Sequence, residues 1–372
     1  MISSTGIVCA STVPTACTTS SRRLYVGMMA ETTGPVSMLS DLAKKWLYGS
    51  GLLGLYHRLR NRRTLTVIMF HRVLDRTDPR WRSCDPDYTL EADLLDACVA
   101  FFRRHYRIVS VEDVLAARRD GTPLPPHALL ITFDDGWSDN HDYALPLLAR
   151  ANVPGLLFVV ADVIGRRLAF YQERIVGGWR LGRLRVADLA AAAGCPADDE
   201  SIDSLRRVIA AIERLDEAER ARVLAPFADA LDDGLRHMVT SGELAALERG
   251  GIAIGTHGKT HTPMPRAADL DAELAGARHA VAAHLDGGRA PETMSFPHGR
   301  YDAVIAERAR AAGFELVFTS DPTINPSGDR PGWLLGRLGF EQSGIVDRAG
   351  RFRPDKLALH LFRRPIRTLA AG

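Results

Sequence analysis

The chain has 372 residues, more than one hydrophobic core usually organises, so a main domain with an insertion or appendage is expected. Hydrophobic residues at 46% and charged residues at 25% are ordinary for a globular protein, and a net charge of +2 gives no electrostatic case for a nucleic-acid partner. The five cysteines, Cys9, Cys17, Cys84, Cys98 and Cys195, are scattered, odd in number and without a CxxC pair, which argues against a thiolate zinc site or a disulfide framework.

Residues 1–37 are rich in Ser and Thr and hold no period. No Lys or Arg precedes Arg22 and every apolar run is broken, so a secretory signal does not fit and disorder is expected. Met28, Met29 and Met38 are alternative starts. Residues 38–64 read as one helix, apolar but carrying Lys44, Lys45, Arg58 and a basic run from Arg60 to Arg63. It is too interrupted to span a membrane. It either packs on the domain, the preferred reading, or lies on an anionic membrane as a peripheral contact.

A barrel domain is expected over residues 65–345. The run from Leu65 to His71 is a buried strand, followed by a helix over 91–105, a short strand over 107–110 and a helix over 111–119. Residues 128–133 form a second buried strand, 143–151 a helix and 155–160 a third strand. Residues 165–234 break the rhythm with helical spacing and read as a helical insertion. Alternation then resumes: helix 242–249, strand 252–255, one long helix 270–285, strand 293–296, helix 303–312, strand 316–319. Residues 346–372 are a C-terminal tail or helix. Continuously apolar strands alternating with helices predict an α/β fold built on a parallel sheet or barrel.

Three segments follow apolar strands, where such a barrel gathers its reactive side chains. Thr132-Phe133-Asp134-Asp135-Gly136 places two carboxylates side by side, a costly arrangement unless a cation joins them. With a divalent metal, one Asp can ligate and the other can act as a base. His257 and His261 are four apart, a spacing that suits one metal. Ser295-Phe296-Pro297-His298-Gly299-Arg300-Tyr301 is a tight loop able to present a backbone N–H to a reacting oxygen. Each segment alone is an ordinary turn; together they point to metal-assisted hydrolysis.

In these residues the chain resembles the polysaccharide deacetylase superfamily, carbohydrate esterase family four. Thr132–Gly136 matches the TFDDG motif in full. His257 and His261 match H-[S/T]-x-x-H, with Gly258 at the Ser/Thr position. Phe296-Pro297-His298-Gly299 approximates an aromatic-Pro-aromatic-Gly turn, and Phe70-His71-Arg72-Val73 resembles the YHRV strand end. The resemblance runs from Leu65 to Leu338, apart from the insertion.

It implies a distorted, incomplete (β/α) barrel and an amide hydrolase acting on N-acylated amino sugars. It implies Asp134 as general base, Asp135, His257 and His261 as ligands of a divalent metal, zinc first, and the His298 N–H as an oxyanion donor. His71, Pro297, Gly299, Tyr301 and Arg337 are expected around the substrate. Arg337 is also a candidate for the arginine that orients the base, since the family's usual position holds Thr293, Met294 and Ser295. Candidates for the general acid are His360, His71 and His298. Tyr171, Trp179 and Trp333 are candidate sugar-stacking rings. The expected partner is an amino-sugar polysaccharide or oligosaccharide, and the expected location is the cytoplasm at the inner membrane face. Rival readings are a hydrolase of another small amide, such as a formamide, and a non-catalytic sugar-binding protein of the same fold.

Overall fold

The computed structural model describes residues 35–328 and 330–370. The expectation of disorder over residues 1–37 therefore lies outside the described residues, except at its end, where a helix begins at Pro35. The chain divides after Ala43 into two compact units. Of the first, residues 35–43 are described and are helical; the second, Lys44–Gly372, holds everything discussed below.

The single helix expected over residues 38–64 is two helices, α1 (Pro35–Gly49) and α2 (Leu52–Arg60). The Gly49-Ser50-Gly51 turn divides them, because Gly is a poor helix former and Ser competes for backbone bonds.

Seven parallel strands stand side by side in chain order. They are β1 (Thr64–Phe70), β2 (Ala128–Phe133), β3 (Gly155–Val159), β4 (Ile252–Thr256), β5 (Thr293–Ser295), β6 (Leu316–Phe318) and β7 (Leu334–Leu335). β2 and β3 are buried at every position, because helices cover one face and the barrel interior fills the other. Three residues after β7 the same stretch of chain forms β8 (Leu338–Gly339) and pairs with β1. One broken strand thus touches both edges and nearly closes the barrel. The break is clamped by Asn325, whose side chain donates to Gly336 O at 2.9 Å and accepts from Gly336 N at 2.8 Å.

Helices α3 (Ala92–His105) and α4 (Val111–Asp120) precede β2, and α5 (Leu145–Ala151) links β2 to β3. Between β3 and β4 stand α6 (Tyr171–Arg180), α7 (Val186–Ala193), α8 (Ile202–Ile212) and α9 (Glu217–Leu224). These four gather a core of their own around Ile175, Leu189, Leu205 and Val208. The long helix expected over 270–285 is instead a wide π-type turn, Ala272–Gly276, followed by a short α-helix, Ala277–Ala282. A second π-type turn, Asn140–Ala144, precedes α5. Both turns lie against the functional site, a common place for them. A last helix, Pro354–Phe362, packs behind β1.

Candidate metal centre

β2 delivers the two carboxylates. Asp134 and Asp135, just past the strand end, are 2% and 7% exposed, and their carboxylates meet different partners. Among the described residues five non-glycine residues have positive φ, and Asp135 (79°), His261 (64°) and His298 (56°) are three of them. Backbone strain of this kind costs about 1–3 kcal/mol per residue and gathers at functional sites.

Asp135 faces the histidines. Its Oδ1 lies 3.4 Å from His257 Nε2 and 3.2 Å from His261 Nε2, and its Oδ2 accepts from Trp137 Nε1 at 2.9 Å. Three potential ligand atoms from these residues lie within 4.8 Å of one another. Ligand atoms about 2.0–2.1 Å from a tetrahedral zinc ion stand about 3.3–3.4 Å apart. The separations here match that figure and exceed the roughly 2.7–2.9 Å of a charged hydrogen bond. The donor set therefore fits a divalent metal better than it fits direct pairing.

His257 is oriented for ligation. Its Nδ1 lies 3.0 Å from Ser295 O, a carbonyl that can only accept, so Nδ1 carries the proton and Nε2 keeps its lone pair toward Asp135. Burial lowers the basicity of His257, but Asp134 and Asp135 outweigh that and raise it. For Asp135, burial pushes the carboxyl up, yet His257 and His261 hold it well below the usual range.

The loop between the two histidines is held by Glu273, which sequence reasoning missed. Its buried carboxylate accepts from Lys259 N at 2.7 Å and Thr260 N at 3.1 Å, and from the Thr260 hydroxyl. Glu273 belongs to the Ala272–Gly276 π-type turn. Gly258, where the family motif has Ser or Thr, sits at φ +74° with Glu273, Pro297 and Met264 around it. An added Cβ would meet them at 3.0–3.2 Å.

Asp134 is held in a fork. Arg337 Nη1 and Nη2 donate to Oδ1 and Oδ2 at 2.6 and 2.7 Å, and Ser295 Oγ lies 3.3 Å from Oδ1. Burial pushes the Asp134 carboxyl up; Arg337 and His257 reverse this and leave it low, so the group is ionised near neutral pH. Arg337 comes from the break between β7 and β8 and is 1% exposed. Its Nε donates to Thr319 O at 3.0 Å. It thus orients the carboxylate and presents no face to substrate, correcting the expectation of a substrate contact.

The remaining expected residues divide. The His71 ring stands edge-on to Tyr88 at the mouth of the barrel; burial lowers its basicity and the two carboxylates partly restore it. The His298 ring is exposed and lies 4.6 Å, centroid to centroid, from that of His261. Pro297 and Gly299 shape the loop. Pro297 packs on Gly258, and at Gly299 (φ +62°) a Cβ would come within 2.5 Å of Ser320. Tyr301 also turns away, its ring on Phe296 and its hydroxyl on Asp321 at 2.8 Å. His360 is not at the site. It bonds Gly339 O and Arg364 behind β8 and stands edge-on to Phe340, away from the carboxylates. Tyr171, Trp179 and Trp333 are partly buried and pack against hydrophobic clusters.

A second missed group lies behind Trp137. Arg72 is fully buried, with its guanidinium 4.4 Å from the Trp137 ring centre. It reaches Asp139 at 2.9 Å, Glu173 of α6 at 2.5 Å and His237 at 3.2 Å. The insertion is thereby wired to the barrel beneath the residue that holds Asp135. The Arg206 side chain of α8 adds bonds to Asp85 and Asp87. The one local clue was Arg72 itself, in the Phe70–Val73 element.

A family model described as polysaccharide deacetylase matches residues 121–317, more than half of the chain. Comparison with curated proteins finds no match. Among solved structures, the chain is similar to the Streptococcus pyogenes deacetylase PplD in complex with acetate. Identity is 13%, coverage 81% of this chain and 99% of that one, and the TM-score 0.52. It is likewise similar to IcaB from Ammonifex degensii, at 19% identity, 80% and 97% coverage and a TM-score of 0.50. A polysaccharide deacetylase from Bacillus cereus aligns at 12% identity, 81% and 69% coverage and a TM-score of 0.50. At these identities the structural likenesses speak for the fold.

Proposed function

The chain belongs to the polysaccharide deacetylase family and is a deacetylase hydrolase, and from that premise we propose that it removes N-acyl groups, acetyl first, from the amino sugars of a polysaccharide or oligosaccharide. Asp135, His257 and His261 would hold a divalent metal. Zinc is the first choice for a set of two imidazoles and one carboxylate at tetrahedral spacing. Such an ion supplies Lewis-acid polarisation of the acyl carbonyl and activates a water.

The chain's own residues do the rest. Asp134 is the base. Oδ1 is engaged by both Arg337 and Ser295, whereas Oδ2 has one donor and keeps a spare lone pair, so Oδ2 takes the proton from water. The left-handed turn at His298 supports its backbone N–H as a donor to the oxyanion. His71 and His298 are the imidazoles beside the site that are not ligands, and one of them delivers the proton to the leaving amine.

One observation carries this reading. A buried carboxylate locked by a bidentate arginine stands next to a second carboxylate that two histidines approach at ligand spacing. The test is metal content together with acetate release from N-acetylglucosamine oligomers. A chelator should abolish release, and zinc should restore it. Asp135→Ala, His257→Ala and His261→Ala should each lose metal and activity together. Full turnover by metal-free protein would refute the metal role; hydrolysis of formamides but not of these oligomers would refute the substrate.

A further inference from the structure

At the opposite end of the barrel the surface has a different character. Eight large hydrophobic side chains are exposed among the described residues, and five fall between Trp46 and Leu59. On α2 they are Leu52, Leu55, Tyr56 and Leu59, spaced i, i+3, i+4, i+7 along one stripe, with Leu59 74% exposed. The helix is apolar on both faces. Its inward face carries Leu53, in the core, and His57, which bonds Asn61 and His105 O and stacks on Phe362. Arg60 ties the helix down by donating to the carbonyls of Phe362 and Arg364. The leucine face is therefore held outward and cannot roll in.

The flanks are cationic. Residues 44–63 contain six Lys or Arg and no Asp or Glu. Arg103 and Arg104 are exposed on the adjoining end of α3, and Arg107 just beyond it. A cleft of about 480 Å³ opens between α2 and that end, bounded by Arg58, Arg104 and Arg107 with His57, His105 and His127.

We propose that this face docks on an anionic phospholipid surface, with the α2 stripe and Trp46 in the interface and the arginine-lined cleft taking lipid phosphate. An apolar stripe rimmed by Lys and Arg, with a Trp at its edge, is the pattern of interfacial helices, and a basic surface without acids suits anionic headgroups. A contact with another protein would be indifferent to headgroup charge, and the test separates the two.

The test is co-sedimentation of the full-length protein with vesicles of phosphatidylcholine alone or mixed with phosphatidylglycerol. The protein should bind the mixed vesicles and release at high salt. Leu55→Glu with Leu59→Glu, both at exposed positions, should lower binding by tenfold or more, with melting temperature and deacetylase turnover on a soluble oligomer unchanged. Arg58→Glu with Arg104→Glu should abolish the preference for phosphatidylglycerol. Equal binding by wild type and the leucine variant, or no binding to mixed vesicles, would overturn the proposal. So would a wild-type dimer in ultracentrifugation that the leucine variant splits, which would assign the face to a second copy.

Discussion

Two arginines, Arg72 and Arg337, are the largest fully buried side chains in the molecule, and they do opposite work. Arg337 holds one acid, Asp134, which has to remain a reactive group. Arg72 holds Asp139 and Glu173 and touches His237, none of which belongs to the metal centre. One pair therefore presents charge to a reaction, and the other joins the barrel to the insertion. Burying an ion pair is itself no source of stability, but breaking one by removing a single partner leaves an uncompensated charge. Which function suffers depends on which partner is stranded.

The comparison can be sharpened by substitutions on either side. The largest effect is expected at Asp134→Asn. It should keep its metal and lose the proton acceptor, with kcat falling about 10²–10⁴-fold; metal analysis beside initial rates reads both, and loss of the metal would make Asp134 a ligand instead. Next is Arg72→Met, which strands Asp139 and Glu173. Urea unfolding should show a loss of roughly 3–5 kcal/mol, while any protein that stays folded keeps its metal. A loss below about 1 kcal/mol would show that the network is solvated and not structural.

Arg337→Lys keeps the charge but not the fork. A fall in kcat of about 10²-fold is expected from a misplaced base, with KM nearly unchanged; a change confined to KM would return Arg337 to the substrate. The smallest effect is expected at Glu273→Gln, which loosens the loop between His257 and His261. Metal affinity, measured by competition with a chelator, should weaken about tenfold, and unaltered affinity would reduce Glu273 to a packing role.

Much of this site was legible in the sequence because its chemistry is local. Asp134 and Asp135 end a six-residue strand that is apolar but for Thr132, and His257 and His261 sit four apart behind another. Arg337 was a candidate only because the family's usual position was empty; nothing in its own neighbourhood says that the chain breaks there to close the barrel. Asp139, Glu173 and His237 were invisible for the same reason. Their bonds to Arg72 span 67 to 165 residues, and pairings of that range leave no periodic trace. Glu273 was hidden by a period that looked α-helical, where the backbone in fact widens to aim its carboxylate at the loop.

The clamp at Asn325 and Gly336 makes the closure of the barrel part of its chemistry. The chain breaks between two two-residue pairings, one to each edge of the sheet, and Arg337 leaves that break aimed at Asp134. The bonds that shut the seam are thus the bonds that set the fork, and a change that shifts the seam shifts the carboxylate with it.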